Sequence, residues 1–464
     1  MRGGLLLITK TEILEYLKNN DTKIYFTGIG GVSMSAIAAA LIQKNYIVGG
    51  SDIVESENVK NLRNMGAEIF SSHESSNADG YDMLIYNARI TEDNPEIIRA
   101  KELGIPIIKR AQMLGALMNG YKKSIGIAGT HGKTTVTSMT SEIFMQAGTD
   151  PTFFIGALYP PVNAAYKIGA GDYFILESDE FCDSFLNFPP DIAIILNIEM
   201  EHPDYFADLK AMITSYKKYL AETGELAIIN ADDPNSLEAA KDFKKKTLTY
   251  SVNAPADIRA KNISTDDGFP EFDIYAHGAK YAHVKLNIPG EFNIYNALAA
   301  ASAAYSCAIS GETVSRGLNI FKGAARRFEY KGEFNAVKVY DDYAHHPTEI
   351  KKMLDGVKKI AENNIWLVVQ PHTYSRTSEL KPELCEVLAE YSGERTNIIL
   401  TEIYSASEPN TYNIYSEDIA KETNLAFISA FDDIAAYLKL KCAPGDIILL
   451  TGAGDVNKIT ELLI

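Results

Sequence analysis

Residues 125–135, with the sequence IGIAGTHGKTT, combine the residue types that hold nucleotide phosphates. Glycines let backbone N–H groups approach phosphate oxygens, and the positive end of the following helix attracts them. The Lys133 ammonium can reach the β and γ phosphates, and the Thr134 hydroxyl can bind Mg²⁺. The strict motif has a glycine where this chain has Ile127, so we predict a shortened phosphate loop. The candidate nucleotide-binding residues are Gly129, Thr130, His131, Gly132, Lys133, Thr134 and Thr135.

Acidic residues follow two apolar strand-like runs downstream of this loop. Residues 177–180 (ESDE) come after the run 173–176, and residues 197–204 (NIEMEHPD) come after the run 191–196. Carboxylates at strand ends near a phosphate loop can hold Mg²⁺. Residues 177–180 are therefore candidate ligands, although the same segment would also suit a solvated turn. His202 is a candidate for a second divalent ion.

Histidines are concentrated in turns that follow predicted strands. Two such turns are residues 341–347 (DDYAHHP) and 370–376 (QPHTYSR). Five of the eight histidines fit this pattern, which favours a shared cleft: His131, His202, His345, His346 and His372. Structural zinc is disfavoured because no thiol or helical i, i+4 pair accompanies the adjacent histidines.

Two further polar segments are candidates for nucleotide contacts. Residues 290–297 (GEFNIYNA) precede an alanine-rich helix, and the amides of Asn293 and Asn296 can read an adenine edge. Helix capping explains Asn293 almost as well. The segment 326–328 (RRF) can meet phosphate oxygens or form a surface ion pair.

Alternating strand-like and helix-like segments position all of these turns. In the first third, strands are predicted at 23–27, 46–48, 83–86 and 105–108, with helices at 33–45 and 59–65. This rhythm predicts a doubly wound parallel sheet. Its first turn, GIGGVS at 28–33, is close to a dinucleotide fingerprint, and Asp52 follows the second strand. In the last third, strands at 337–340, 365–369, 397–400 and 446–450, with a helix at 347–359, predict a second such unit.

The length and composition limit the organisation and the partners. A chain of 464 residues suggests three domains, with boundaries near residues 120 and 325: 1–120, 121–325 and 326–464. A net charge of -17 argues against nucleic-acid and anionic-membrane binding. Four cysteines without C-x-x-C spacing indicate reduced thiols. The N-terminal apolar run is too short for a signal peptide and no membrane-spanning run follows, so a cytoplasmic location is expected.

Taken in order, these segments resemble the Mur ligases of bacterial peptidoglycan synthesis over nearly the whole length. The resemblance is carried by 28–35 (GIGGVSMS), 129–135, 197–202 and 326–328. The segments 341–349 (DDYAHHPTE) and 370–377 (QPHTYSRT) are typical of the members that add alanine. The family implies an α/β fold of three domains: a Rossmann-like N-terminal domain, a central P-loop ATP-binding domain and a Rossmann-like C-terminal domain.

The resemblance implies ATP-dependent amide formation on a sugar nucleotide. The lactyl carboxylate of UDP-N-acetylmuramate would attack the γ-phosphate to give an acyl phosphate, and the amine of L-alanine would displace the phosphate. ATP and Mg²⁺ are the implied cofactors. Domain closure would exclude water from the acyl phosphate. We expect a monomer or weak homodimer that binds no nucleic acid and does not insert into membranes.

The family also implies residue roles. Lys133 would bridge the β and γ phosphates, Thr134 and Glu177 would hold one Mg²⁺, and His202 would hold the second. Arg376 would bind the alanine carboxylate as a fork, while His345 or His346 would orient the amine or take its proton. Tyr343 would also line the alanine site. The implied nucleotide contacts are Asn293, Asn296, Arg327 and Asp342, and the implied UDP-sugar contacts are Gly28, Gly30, Gly31, Ser33 and Asp52.

The sequence departs from the family pattern at two places, and its motifs leave a small number of alternative functions. Residues 177–183 (ESDEFCD) differ from the common form, and Thr373 stands where many relatives have arginine. Within the class, the alternatives are a ligase that adds a preformed peptide to the same nucleotide and a folate-modifying relative, both disfavoured by residues 370–376. A nicotinamide-dependent dehydrogenase is disfavoured because a second phosphate loop is present. A P-loop switch would leave the acidic and histidine turns without a purpose.

Overall fold

Parallel strands with covering helices dominate the computed structural model, which describes residues 9–87, 90–202, 205–266, 268–393 and 395–464. Two compact units are present. The first unit consists of Met1–Ile258 with Ala299–Ser310, and the second consists of Arg259–Leu298 with Gly311–Ile464. In the described ranges, no helix combines the length and the apolar composition needed to cross a bilayer.

The N-terminal part of the first unit is a five-stranded parallel sheet with strand order β3-β2-β1-β4-β5. Its elements are α1 (Lys10–Tyr16), β1 (Lys23–Thr27), α2 (Val32–Gln43), β2 (Ile47–Ser51), α3 (Glu57–Asn64), β3 (Glu68–Phe70), β4 (Met83–Tyr86), α4 (Pro95–Leu103), β5 (Ile107–Lys109) and α5 (Arg110–Met118). The strands are nearly continuous apolar runs because helices cover both faces. The predicted βαβ rhythm is confirmed here.

The rest of the first unit is built on strands in the order β12-β11-β10-β6-β9-β7-β8. Its elements are β6 (Lys123–Ala128), α6 (Lys133–Gln146), β7 (Thr152–Tyr159), β8 (Ala164–Lys167), β9 (Tyr173–Glu177), β10 (Ile192–Ile195), α7 (Leu209–Glu222), β11 (Leu226–Asn230), α8 (Pro234–Ala240) and β12 (Lys246–Ser251). Strand β6 pairs in parallel with both β9 and β10. The loops after these three strands therefore leave from the same edge of the sheet.

The remaining chain first forms a β-hairpin and two helices. These elements are β13 (Ile258–Ser264), β14 (Glu271–Ala276), β15 (Ala279–Lys285), α9 (Phe292–Ser306) and α10 (Gly311–Ile320). Strands β14 and β15 pair in antiparallel register with a bulge. This hairpin was not among the predicted elements, because residues 271–285 lack a Gly- or Asn-rich turn signal apart from Gly278.

The last sheet has the strand order β16-β17-β21-β18-β19-β20. Its elements are β16 (Glu329–Phe334), β17 (Val337–Asp342), α11 (Pro347–Ile360), β18 (Ile365–Val369), α12 (Tyr374–Tyr391), β19 (Thr396–Leu400), α13 (Ser416–Thr423), β20 (Ala426–Phe427), α14 (Phe431–Lys441), β21 (Ile447–Thr451) and α15 (Ile459–Leu463). Buried clusters cover both faces of this sheet.

Strand β17 requires a correction to the predicted topology. The run at 337–340 was expected to be the first strand of this unit, with Asp341 and Asp342 in the turn after it. Strand β16 precedes it as an antiparallel edge strand, and both aspartates lie within β17. The β16 sequence, EYKGEF, is polar because it is an edge strand, so its hydrophobic signal is weak.

Candidate functional site

The phosphate loop, residues 129–132, joins β6 to α6 at the predicted place. Gly129 and Gly132 have φ values of 150° and 89°, a region that favours glycine. A Cβ atom on Gly129 would also lie 2.8 Å from the Cβ of Leu196, so no side chain fits there. Helix α6 begins at Lys133, and its first N–H groups have no intrahelical acceptor. This arrangement suits an anion.

The turn after β10 clamps the phosphate loop. The Asn197 side chain accepts a hydrogen bond from the His131 N–H at 2.8 Å and donates one to the His131 carbonyl at 3.1 Å. The Thr130 hydroxyl donates to the Glu199 carbonyl and accepts from the Glu199 N–H. Sequence reasoning treated residues 197–204 only as metal ligands and missed this clamp. A polar Asn directly after an apolar strand was the available signal.

Lys133 is held beside the loop by a buried ion pair. Its ammonium donates to the Gly129 carbonyl at 2.6 Å and to the two Glu180 oxygens at 3.0 and 3.2 Å. Burial opposes the charge of Lys133, but the negative charges of Glu180 and Asp179 outweigh it and raise the pKa of the ammonium above its usual value. Lys133 is therefore charged at neutral pH and lies where a phosphate would be bound.

One group of oxygen and nitrogen ligands lies next to this lysine. Ligand atoms of Asp179, Glu180 and His202 lie within 4.8 Å of one another. Carboxylate oxygens are the donors that hard divalent cations prefer, so the group fits Mg²⁺. Glu177, at the end of β9, accepts a hydrogen bond from the Gly156 N–H. Thr134 lies buried in the first turn of α6.

The glycine loop after β1 is also shaped by a carboxylate. Asp52 accepts a hydrogen bond from the Gly30 N–H at 2.8 Å, and a Cβ atom on Gly30 would lie 2.8 Å from the same carboxylate. Gly28 has a φ of 78°, and Gly31 is the N-cap of α2, with Ser33 in the first turn. The loop thus presents a helix N-terminus, as predicted, while Asp52 contacts the loop itself.

In the second unit, the two asparagines predicted to read adenine are bonded to each other. The Asn293 amide donates to the Pro289 carbonyl at 2.7 Å, and the Asn296 amide donates to the Asn293 side-chain oxygen at 2.8 Å. Both residues are buried at the start of α9. The bond from Asn293 to the Pro289 carbonyl therefore links the start of α9 to the segment that precedes this helix.

The adjacent arginines of the segment 326–328 share the Tyr343 ring as a neighbour, and the Arg326 guanidinium carbon lies 5.1 Å from its centre. Arg326 forms an ion pair with Asp341 at 3.2 Å and donates to the carbonyls of Gly452 and Gly454. The Arg327 guanidinium carbon lies 5.4 Å from the centre of the Tyr343 ring. Arg326 therefore joins β17 to the loop after β21.

The carboxyl group of Asp342 is buried at the end of β17. It accepts hydrogen bonds from the Phe328 and Ala344 N–H groups, both at 2.7 Å. Burial raises the pKa of Asp342 to about 6, although the charge of Arg327 opposes this shift. These bonds fix the turn that leads to Tyr343 and the two histidines.

His345 and Arg376 form a direct hydrogen bond between the turns after β17 and β18. Arg376 donates to the His345 Nε2 atom, and the His345 Nδ1 atom lies 3.1 Å from the Tyr343 carbonyl. An arginine can only donate, so Nε2 is the acceptor and Nδ1 carries the proton. The Glu349 carboxylate lies 3.6 Å from Nδ1. The ring is therefore neutral and fixed in one tautomer.

His346 has a different role in the same turn. It is the N-cap of α11, and its Nδ1 atom accepts a hydrogen bond from the Thr348 N–H at 3.2 Å. The N-cap backbone N–H is bonded to Glu349 in turn. These bonds complete a capping box, in which Pro347 occupies the first helical position.

A pocket is lined by residues from both turns. Its polar lining includes His345, Gln370, His372 and Arg376, and its apolar lining includes Leu380 and Leu384. The rings of His345 and His372 lie 5.8 Å apart, so the contact between these rings involves two of the five histidines that were expected to share a cleft. One guanidinium beside a small apolar wall suits a small amino acid.

Three family matches cover most of the chain. Residues 23–122 match the "Mur ligase family, catalytic domain", residues 127–304 match the "Mur ligase middle domain", and residues 326–454 match the "Mur ligase, glutamate ligase domain". These matches confirm the predicted α/β architecture of three domains.

Relatives and solved structures agree with these matches. A UDP-N-acetylmuramate–L-alanine ligase of Caldicellulosiruptor bescii is 41% identical to this chain, and the alignment covers 95% of this chain and 98% of the relative. A ligase of the same name from Clostridium novyi is 39% identical, and the alignment covers 97% of this chain and 98% of the relative. The crystal structure of a UDP-N-acetylmuramate-alanine ligase of Thermotoga maritima aligns with a TM-score of 0.79 at 27% identity, covering 95% and 98%. The crystal structure of a murein peptide ligase of Psychrobacter arcticus aligns with a TM-score of 0.70 at 25% identity. This alignment covers 95% of this chain and 98% of that chain. The chain belongs to the Mur ligase family.

Proposed function

We propose that this protein is an ATP-dependent ligase that joins L-alanine to the lactyl carboxylate of UDP-N-acetylmuramate. ADP and phosphate are released, and an acyl phosphate is the intermediate. The observation that carries this proposal is the match at about 40% identity, over nearly the whole length, to relatives named for that reaction. The reaction would supply a peptidoglycan precursor and take place in the cytoplasm.

The phosphate end of the reaction is assigned to the first unit. Lys133 and the N-terminus of α6 bind the β and γ phosphates, and the clamp by Asn197 keeps the loop in shape before ATP arrives. Thr134, Glu177 and His202 are proposed to hold Mg²⁺, with Asp179 and Glu180 beside His202. Bound Mg²⁺ would neutralise charge on the transferring phosphoryl group.

Other nucleotide contacts are proposed on the same basis. Asn293 and Asn296 would contact adenine, and Arg327 and Asp342 would add further contacts to the nucleotide. The glycine loop would bind the diphosphate of the UDP-sugar through the α2 N-terminus. That site consists of Gly28, Gly30, Gly31, Ser33 and Asp52. The proposed domains for the UDP-sugar, ATP and amino-acid functions are residues 1–120, 121–325 and 326–464.

The amino-acid end is assigned to the second unit. Arg376 would bind the alanine carboxylate in a bidentate manner, as guanidinium groups do. His345, His346 and Tyr343 would surround the rest of the substrate. The pocket that contains Arg376 also has leucine side chains that suit a methyl group.

Phosphate release tests the proposed function. The protein is incubated with ATP, Mg²⁺ and UDP-N-acetylmuramate, and each candidate amino acid is added in turn. We expect release that requires both the sugar nucleotide and L-alanine. A requirement for a preformed peptide would reassign the substrate, and release without any amino acid would contradict the ligase assignment.

A further inference from the structure

His345 is arranged as a base whose lone pair is already occupied. Its Nδ1–H faces the Tyr343 carbonyl at 3.1 Å, with the Glu349 carboxylate at 3.6 Å. Its Nε2 lone pair accepts a hydrogen bond from Arg376. A carboxylate on the Nδ1 side stabilises an imidazolium, which forms when Nε2 takes a proton. The ring thus has the surroundings of a general base, but Arg376 masks the atom that would accept the proton.

The neighbouring His346 is arranged differently. Its Nδ1 lone pair accepts from the Thr348 N–H and completes the cap of α11. In the neutral ring, Nε2 then carries the proton and has no lone pair to offer. Taking a proton at Nδ1 would break the cap. Of the two histidines that the sequence left open, His345 is therefore the one whose Nε2 atom has a lone pair for a proton.

We propose that the carboxylate of the incoming amino acid draws Arg376 away from His345 and so unmasks Nε2 as the base for the amine. This inference rests on the proposed function. The guanidinium exchanges a neutral acceptor for a charged, bidentate one, and hydrogen bonds to charged groups are about twice as strong. The base is available only when an α-carboxylate is bound in the pocket that Arg376 and His345 line.

Proton transfer then follows in two steps. His345 Nε2 takes one proton from the alanine ammonium, which leaves a neutral amine. The amine lone pair forms the C–N bond to the acyl carbon. The C–O bond to phosphate breaks, and the phosphate carries away the second amine proton. The His345 imidazolium that formed in the first step returns its proton to solvent when the product leaves. Arg376 then again donates a hydrogen bond to Nε2.

A change of nucleophile tests the role of His345. Hydroxylamine is largely neutral at neutral pH and has no carboxylate, so it traps the acyl phosphate as a hydroxamate without a base. For His345→Gln, we expect the kcat with L-alanine to fall about 10²–10⁴-fold, with little change in the alanine KM. Hydroxamate formation stays at the rate of the unsubstituted protein. The matched control is His283→Gln, a half-exposed histidine on β15.

Equal losses with alanine and hydroxylamine would show a structural role for His345 and overturn the proposal. Full alanine turnover in His345→Gln would also overturn it. Failure of the proposed function is distinguishable, because then neither nucleophile would give release that depends on UDP-N-acetylmuramate.

The unmasking itself is tested with a carboxylate that has no amine. Propionate is titrated into the full chain labelled with ¹⁵N-histidine, and the His345 resonances are assigned from their loss in His345→Gln. We expect propionate to move the Nε2 resonance to the value of an imidazole nitrogen without a cationic donor. In Arg376→Ala, we expect the Nε2 resonance to have that value before propionate is added and not to move during the titration. An unchanged Nε2 resonance in the unsubstituted protein would overturn the proposal, as would failure of propionate to compete with alanine.

Discussion

The phosphate loop and the His345–Arg376 pair lie at similar places in their sheets but are built from different parts of the chain. Both lie after parallel strands, at the edge where sites form in such sheets. The phosphate loop consists of backbone held in one shape by Gly129, Asn197 and Thr130. The second site consists of side chains that form hydrogen bonds to one another, and Arg376 donates such a bond to His345.

This difference matches the two ligands that we propose, a phosphate group for the first site and an amino acid for the second. A phosphate is bound by N–H groups and a cation that are ready before it arrives, which lowers the cost of reorganisation. An amino acid carries a carboxylate and an ammonium, so its site must supply both a cation and a proton acceptor. Side chains that are bonded to each other can separate to do this. We therefore expect the first site to be rigid and the second to exchange hydrogen-bond partners.

Removal of Lys133 is the most severe test of the first site. In Lys133→Ala, the charge opposite the transferring phosphoryl group is lost, and we expect kcat to fall by about 10³-fold or more. UDP-N-acetylmuramate binding, measured by calorimetry, is expected to remain. The control is Lys351→Ala, which removes an exposed ion pair with Glu390. Unreduced turnover would remove Lys133 from the phosphate site.

Because Lys133→Ala leaves Glu180 buried without its cation, the double variant Lys133→Ala/Glu180→Gln separates folding from catalysis. We expect the double variant to regain thermal stability without regaining turnover. If the double variant regained both thermal stability and turnover, Lys133 would act only as the ion-pair partner of Glu180.

Arg376→Ala tests the second site. Hydrogen bonds between charged groups contribute about 1.5–3 kcal/mol, so the alanine KM is expected to rise about 10- to 150-fold. We expect the ATP KM to change little, because Arg376 is proposed to bind the amino acid and not the nucleotide. Initial rates with each substrate varied in turn provide the measurement, with the exposed Arg316→Ala as control. An unchanged alanine KM would contradict the assignment of Arg376.

Asn197→Ala sharpens the comparison, because it loosens the rigid site without touching a phosphate group. Two hydrogen bonds to the His131 backbone are lost. We expect the ATP KM to rise about tenfold, from a loss of about 1–2 kcal/mol, while the alanine KM stays constant. Thr130→Val removes the two bonds to Glu199 and is expected to act in the same direction. A larger effect on alanine than on ATP would contradict a role confined to the loop.

Most of the parallel fold was predictable from the sequence, since its strands are apolar runs that alternate with helices. The phosphate loop was predictable for a related reason: Gly129 and Gly132 are required by backbone geometry and are visible as residue types. Polar edge strands were not predictable. Strand β16 carries no hydrophobic run, so Asp341 and Asp342 were expected in a turn and lie in a strand.

The partners of side chains were the part that the sequence could not supply. Asn197 looked like one more ligand beside the acids, and only its distances show that it holds the loop. His345 and His346 are adjacent and of the same type, so composition and spacing treat them alike. Their hydrogen bonds differ because one ring faces Arg376 and the other caps α11.

The last prediction concerns stability rather than turnover, at the buried carboxyl group of Asp341 next to the second site. Asp341 is buried, its Oδ1 atom has no hydrogen-bond partner among the described residues, and burial raises its pKa from 3.8 to about 6 despite the charge of Arg326. A folded-state pKa above the unfolded value means that the folded protein holds the proton more tightly. The resulting stabilisation is complete below pH 3.8 and is lost as the pH rises to about 6.

Asp341→Asn removes this titration while keeping an acceptor for Arg326. We therefore expect the stability of the variant relative to the unsubstituted protein to increase between about pH 4 and pH 7, by at most about 3 kcal/mol. Thermal midpoints of both proteins across this range provide the measurement. Asp242→Asn is the control, because its carboxylate is 76% exposed. A difference that stays constant with pH would mean that Asp341 ionises normally in the fold, and that the ion pair with Arg326 outweighs the burial.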